Sequence, residues 1–152
     1  MATNIVIDKV GASNVQQTIR TMGTKNMKVL RGVEDKKAYR SGLSNITTAY
    51  DLMVLLEKIA MSNAVDSASS NEMMMVLLDQ KFNDIIPAHL PDDVKVAHKT
   101  GWIAGLHHDA AIVFLPDGRK YVLVLLSKKL KDEKVGVEIM GKVSKLIYDW
   151  VR

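Results

Sequence analysis

His98-Lys99-Thr100-Gly101 is the part of this chain whose residue types best suit chemistry. It ends a strand-like stretch, Val94-Lys95-Val96-Ala97. A cation, a hydroxyl and a glycine at a strand end can form one wall of an acyl-transfer site. Lysine supplies positive charge, and the threonine hydroxyl hydrogen-bonds an anionic substrate group. Glycine lets the backbone approach a ligand. A K-T-G of this kind works alongside two partner motifs, S-x-x-K, which carries the nucleophilic serine, and S-D-N. Neither occurs here: no serine has lysine three positions later, and Ser-Asp-Asn is missing from the 152 residues. The expectation is a substrate-binding wall without its nucleophile.

Other chemistry-bearing residues have plainer readings. His107-His108-Asp109 invites a metal, but neighbouring side chains on a strand point to opposite faces. His107 and His108 are therefore read as loop histidines, and no metal site is expected. His98 beside Lys99 is read either as a titrating neighbour of that cation or as a packing residue. Trp102 is placed to stack on a ligand or to cover the sheet end. Met73-Met74-Met75 reads as core filler. Glu34, Asp35, Lys36 and Lys37 read as a solvated loop.

Composition sets the outer bounds. A chain of 152 residues suggests one domain and can bury a real core. A net charge of +4 from scattered lysines, with 5% aromatics, argues against nucleic-acid binding. That role wants a basic stripe interleaved with aromatic residues. Zero cysteine excludes disulfides and cysteine-based zinc sites. Asp8 and Lys9 interrupt any apolar leader within residues 1–10, so no signal peptide is expected. Apolar runs such as Tyr121 to Leu126 are too short to span a bilayer. The chain is expected to be soluble, with no membrane partner and no cofactor; its compartment is left open.

The elements that must hold Lys99 and Thr100 follow from periodicity. Ala2 to Val10 reads as a helix stopped by Gly11. Ser13 is expected to cap a second helix, Asn14 to Met22, ended by Gly23. Residues 24–46 lack periodicity and read as a long loop. Thr47 or Thr48 caps the next helix, with Leu52, Leu55, Leu56, Ile59 and Ala60 on one face. Ser69 with Glu72 reads as a capping box before Met73 to Leu78. Three strands follow, Val94 to Thr100, Asp109 to Leu115 and Tyr121 to Ser127, the last two joined at Pro116-Asp117-Gly118. The last two are apolar on nearly every residue, as in a sheet covered on both faces. Asp132 to Val151 closes as a helix. Helices, a three-stranded antiparallel sheet and a C-terminal helix make an α+β layout.

In this order the segments resemble the class A β-lactamase family, specifically its C-terminal portion. Ala2 to Gly11 is similar to the helix soon after that family's S-D-N. Asn45-Ile46-Thr47-Thr48-Ala49-Tyr50-Asp51-Leu52 is similar to the helix start after its Ω loop. His98-Lys99-Thr100-Gly101 matches its K-T-G strand, and Asp109 to Leu126 and Val135 to Val151 match the hairpin and final helix beyond. The resemblance covers essentially the whole chain and implies a partial β-lactamase/transpeptidase-like fold. It divides the chain into a helical part, residues 1–92 with an Ω-like loop at 24–46, and a sheet with terminal helix, residues 93–152.

The resemblance also implies roles. Lys99 and Thr100 would bind a substrate carboxylate, Lys99 would support proton transfer, and Gly101 would keep the wall open. The backbone N–H of Trp102 would be the second oxyanion donor. Glu34 is the nearest candidate for the Ω-loop general base, but the asparagine that usually follows a few residues on is missing from Glu34-Asp35-Lys36-Lys37-Ala38. The implied complete enzyme is a serine hydrolase that opens β-lactam amides through an acyl-enzyme. Its ligand is a β-lactam or peptidoglycan-like molecule, and its family is usually exported. The alternatives are a penicillin-binding or peptidase-like relative and a non-catalytic binding protein. The expected partner is the missing N-terminal half, or a second chain paired through residues 121–127.

Overall fold

A computed structural model describes residues 2–152. The chain falls into two compact units, one ending at Leu55 and the other running Leu56–Arg152.

The first unit holds α1 (Ala2–Val10), α2 (Ala12–Thr21), α3 (Lys36–Arg40) and the start of α4 (Ala49–Ala60). Gly11, at φ 82°, separates α1 from α2 in a backbone region costly for other residues. It occupies the cap position of α2 with no side-chain cap, so Ser13 is inside the helix rather than its cap. The long loop is partly ordered by the short α3 and by a bridge between Lys28 and Ile46. Thr48 caps α4: its hydroxyl accepts from the Asp51 N–H at 3.1 Å and donates to the Asp51 carboxylate at 2.9 Å. Asp51 is wholly buried and also accepts from the N–H groups of Lys25 and Asn26 at 2.6 and 3.0 Å.

The second unit carries α5 (Ser67–Leu78), β1 (Val96–Ile103), β2 (Leu106–Phe114), β3 (Lys120–Leu126) and α6 (Glu133–Val151). The cap of α5 is Asp66, which accepts from the Ser69 N–H at 2.7 Å. An acceptor directly before the helix displaces the expected Ser69–Glu72 box. Met75 lies exposed, so the methionine run is only partly core.

The sheet is antiparallel in the order β1-β2-β3. β1 runs three residues beyond its expected end, through Gly101, Trp102 and Ile103, and turns into β2 at Ala104-Gly105. Gly105 takes φ 73°, which lets a two-residue turn close the hairpin. Leu115 to Arg119 turns β2 into β3, with the Leu115 N–H donating to the Arg119 carbonyl at 2.8 Å. The core gathers Ile85, Ile86, Ala111, Val113 and Leu123 with Met140 of α6. β2, the central strand, is buried from Asp109 to Val113 and half-buried at its ends, whereas β3 is mostly half-buried. Full cover on both faces is thus reached only over Asp109 to Val113 of the middle strand.

Candidate functional site

The register of the sheet decides what β1 can offer. The Phe114 N–H donates to the Lys95 carbonyl at 3.0 Å, and Lys99 sits opposite Ala110 and Gly101 opposite His108. In an antiparallel pair, hydrogen-bonded and open positions alternate. Odd-numbered residues of β1 therefore bond to β2. Thr100 and Trp102 direct their N–H and C=O groups the other way, to an edge with no strand neighbour among the described residues. The Lys99 ammonium folds along this same edge and donates to the Thr100 carbonyl.

Alternation places Thr100 and Trp102 on one face of the sheet and Lys99 and Gly101 on the other. Thr100 and Trp102 look into a cleft of about 320 Å³, with Phe82, Asp84, His107 and Glu133 among its walls. Trp102 is largely exposed, and its ring lies nearly parallel to that of His107. Gly101 leaves open space where a Cβ would stand, with no heavy atom within 4 Å.

The two histidines of β2 go separate ways. His107 Nε2 meets Glu133 Oε2 at 3.0 Å, while His108 Nδ1 accepts the Ser127 N–H at 3.2 Å. Burial, the larger influence, lowers the pKa of His108. An accepting Nδ1 fixes its neutral form with the proton on Nε2. The Gly105 N–H, at 2.7 Å, and then His107 hold the Glu133 carboxyl below its ordinary value. No group of three His, Cys, Asp or Glu side chains comes together in a metal-like cluster among the described residues.

His98 does not stand in the open beside Lys99. It is buried, with Nδ1 at 3.0 Å from Asp109 Oδ1 and Nε2 at 3.1 Å from Asn83 Oδ1. Asp109 also accepts the Ile86 N–H at 3.0 Å, and the Ser144 hydroxyl of α6 donates to the Ile86 carbonyl at 2.8 Å. This buried polar chain fixes β1 immediately before Lys99. Sequence reading missed Asn83, Asp109 and Ser144 as its members. One signal was an aspartate standing at the head of the apolar run Ala110-Ala111-Ile112-Val113.

Glu34 belongs to the first unit. It is exposed, takes the left-handed φ of 63°, and has no hydrogen-bond partner for its carboxylate among the described residues. The structure gathers Lys99, Thr100, Gly101 and Trp102 on one strand.

A family model described as the Beta-lactamase enzyme family matches residues 1–151. The chain belongs to this family. Among solved structures, PBP-A shares 29% identity at a TM-score of 0.86, covering 97% of this chain and 54% of its own length. A β-lactamase from Chitinophaga pinensis shares 25% identity at a TM-score of 0.85, covering 99% of this chain and 59% of its own. TLA-1, an extended-spectrum β-lactamase, shows likeness of fold at 24% identity and a TM-score of 0.86, with 98% of this chain and 58% of its own covered. A search of curated proteins found no match. The chain thus spans a little over half the length of these β-lactamase-like relatives.

Proposed function

We propose that this chain supplies the substrate-binding wall of a β-lactamase-like serine acyltransferase, with the nucleophile coming from residues it does not contain. The observation that carries this reading is the shared open edge of β1. The Lys99 ammonium and the Trp102 N–H lie along it, with the Thr100 hydroxyl beside them on the cleft face. The cation and hydroxyl suit a carboxylate. A fixed backbone N–H suits the oxygen that gains charge when an acyl carbon is attacked, where one such donor contributes about 3 kcal/mol. The reaction of the complete domain is attack by a serine hydroxyl on a β-lactam amide, opening of the C–N bond, and hydrolysis of the ester. Glu34 is the candidate base for that last step.

A second reading, a penicillin-binding or peptidase-like relative, draws support from one comparison. PBP-A is the more similar in sequence, at 29% against 24% for TLA-1. A variant of PBP-A has been solved as an acyl-enzyme with penicillin G. This second reading shares the K-T-G wall and does not call on Glu34.

Titration of the chain with penicillin G, followed by amide NMR, tests the wall. The expected result is a set of shifts confined to residues 99–102 and their cleft neighbours, lost in Lys99→Ala. Shifts elsewhere that survive Lys99→Ala would end the proposal.

A further inference from the structure

The cleft that Thr100 and Trp102 face has other walls, and their chemistry is one-sided. Trp102 stands on it from β1 and Phe82 from the segment before β1. Both rings are largely exposed, at 72% and 66%. Large rings left in water along a concave wall are surface available to a ligand, and a few polar groups then decide which ligand. Here the charged groups are the carboxylates of Asp84 and Glu133. No lysine or arginine lines the cleft among the described residues.

The two carboxylates differ in how far they are engaged. Glu133 accepts the Gly105 N–H at 2.7 Å and meets His107 Nε2 at 3.0 Å. Asp84 is exposed and has no hydrogen-bond or ion-pair partner among the described residues. Lys81, near it in sequence, pairs with Asp79, and the Lys99 ammonium lies on the Thr100 carbonyl. A doubly protonated His107 would neutralise Glu133, yet Asp84 would still leave the cleft negative. With His107 neutral, both charges count. An aromatic face is itself electron-rich and attracts a cation within about 6 Å, tryptophan most strongly. Rings and carboxylates therefore select the same sign of charge. A neutral group would use the rings only, and an anionic one would meet the carboxylates.

We propose that this cleft is a subsite for an organic cation, an ammonium or pyridinium substituent on a β-lactam whose carboxylate lies at Lys99 and Thr100. Thr100 and Trp102 share a face of the strand, so Trp102 stands two residues, or about 7 Å, beyond the hydroxyl. A substituent a few bonds from the carboxylate spans that distance. The preferred acyl donor is thus a zwitterion. Its negative end meets the cation and hydroxyl of β1, and its positive end lies against Trp102 and Asp84. The inference rests on the carboxylate-binding reading above and adds the charge that the rest of the ligand should carry.

Two cephalosporins that differ only at the 3′ position test it, one carrying pyridinium and the other acetoxy. In amide NMR titrations the chain should bind the pyridinium compound at least about fivefold more tightly, the effect of one cation–π contact. Asp84→Asn and Trp102→Leu should each reduce that preference and together abolish it. Both side chains are exposed, so neither change threatens the fold. Asp117→Asn, at the turn between β2 and β3, should keep it. Benzyltrimethylammonium is the second probe. It should move the signals of residues 82, 84, 102 and 107, and phenylacetate, an anion built on the same ring, should not. Equal affinity for the two cephalosporins, or a preference that survives the double variant, overturns the proposal. So does phenylacetate acting as strongly as the ammonium. Penicillin G scores the functional reading separately. Ammonium shifts in the cleft without penicillin G shifts at residues 99–102 sink that reading alone, and penicillin G shifts without a cation preference sink this one alone.

Discussion

The imidazole of His98 meets the carboxylate of Asp109 diagonally across the β1–β2 pair, at 3.0 and 3.2 Å, with both side chains excluded from solvent. The ladder sets His98 opposite Ala111 and Thr100 opposite Asp109, so the contact reaches two residues along the strand, past Lys99. His98 Nδ1 must donate, because a carboxylate offers only acceptors. This bond determines the imidazole's orientation and fixes the strand just ahead of the lysine.

His98→Ala should therefore destabilise the second unit by about 3–5 kcal/mol, since it leaves a buried carboxylate without its principal partner. His98→Asn, which retains a donor, should lose less. Thermal melts of the two variants check the order. Equal losses would mean that cavity formation, not the orphaned carboxylate, dominates.

Asp51 makes a corresponding arrangement in the first unit, with a measurable pH signature. Burial works to raise its pKa, but the Lys25 N–H, the Thr48 hydroxyl and the Asn26 N–H outweigh it and hold the carboxyl below its ordinary value. A depressed folded value adds stability that is fully present above the unfolded value of about 3.9. That stability is lost as the pH falls through the folded value. Asp51→Asn should cost about 2–3 kcal/mol at neutral pH, because hydrogen bonds to a charged acceptor are lost. The gap between variant and parent should narrow below about pH 4. A gap that stays constant down to pH 2 would show that the charge contributes nothing.

Sequence legibility followed local physics. Gly11, Thr48, Asp132 and Pro116-Asp117-Gly118 act within a few residues of themselves, and each ends or starts an element where expected. The family and the α+β layout were readable because the order of segments carries them. The cap of α5 was misplaced because Asp66 and Ser69 are both good caps, and only the backbone path chooses between them. The end of β1 was misplaced because Gly101 reads as a stop, whereas pairing with His108 carries the strand past it. The network of Asn83, His98, Asp109 and Ser144 joins residues up to 61 positions apart, and no periodicity links them. The exposed face of α6 was only half legible. Helical spacing groups Val135, Ile139, Val143, Leu146, Ile147 and Trp150 as the packing face of the last helix, whereas the fold half-buries only Ile147 among them and exposes the other five.

Tyr121 has a buried hydroxyl with no hydrogen-bond partner among the described residues. Its pKa is pushed up to about 12, first by burial and then by Tyr148. Removing an unsatisfied hydroxyl while keeping the ring is nearly neutral or stabilising. Tyr121→Phe should gain up to about 2 kcal/mol near pH 7. The raised value favours the neutral phenol, so its contribution is whole below an unfolded value of about 10 and fades as the pH climbs toward the folded one. The advantage of the Phe variant should therefore widen above about pH 10. A variant that melts lower at pH 7 would reveal a partner for the hydroxyl.

The last expectation concerns turnover. Along the β1 edge lie the Lys99 ammonium, the Thr100 hydroxyl and the outward N–H groups of Thr100 and Trp102, which under the proposed function bind and stabilise charge but do not form an acyl-enzyme. Serine acyl transfer depends on a nucleophile and base acting as a unit. Without them, binding and oxyanion donors have no acyl-enzyme route to accelerate. The chain alone should accordingly hydrolyse a chromogenic cephalosporin no faster than a buffer control carried through the same purification. Lys99→Ala should change nothing in that assay while abolishing the penicillin G shifts at residues 99–102. This pairing separates binding from chemistry in one protein. Turnover that persists through purification and disappears in Lys99→Ala would mean that this half contains its own nucleophile. A search should then begin with the hydroxyl of Thr100, which already faces the cleft.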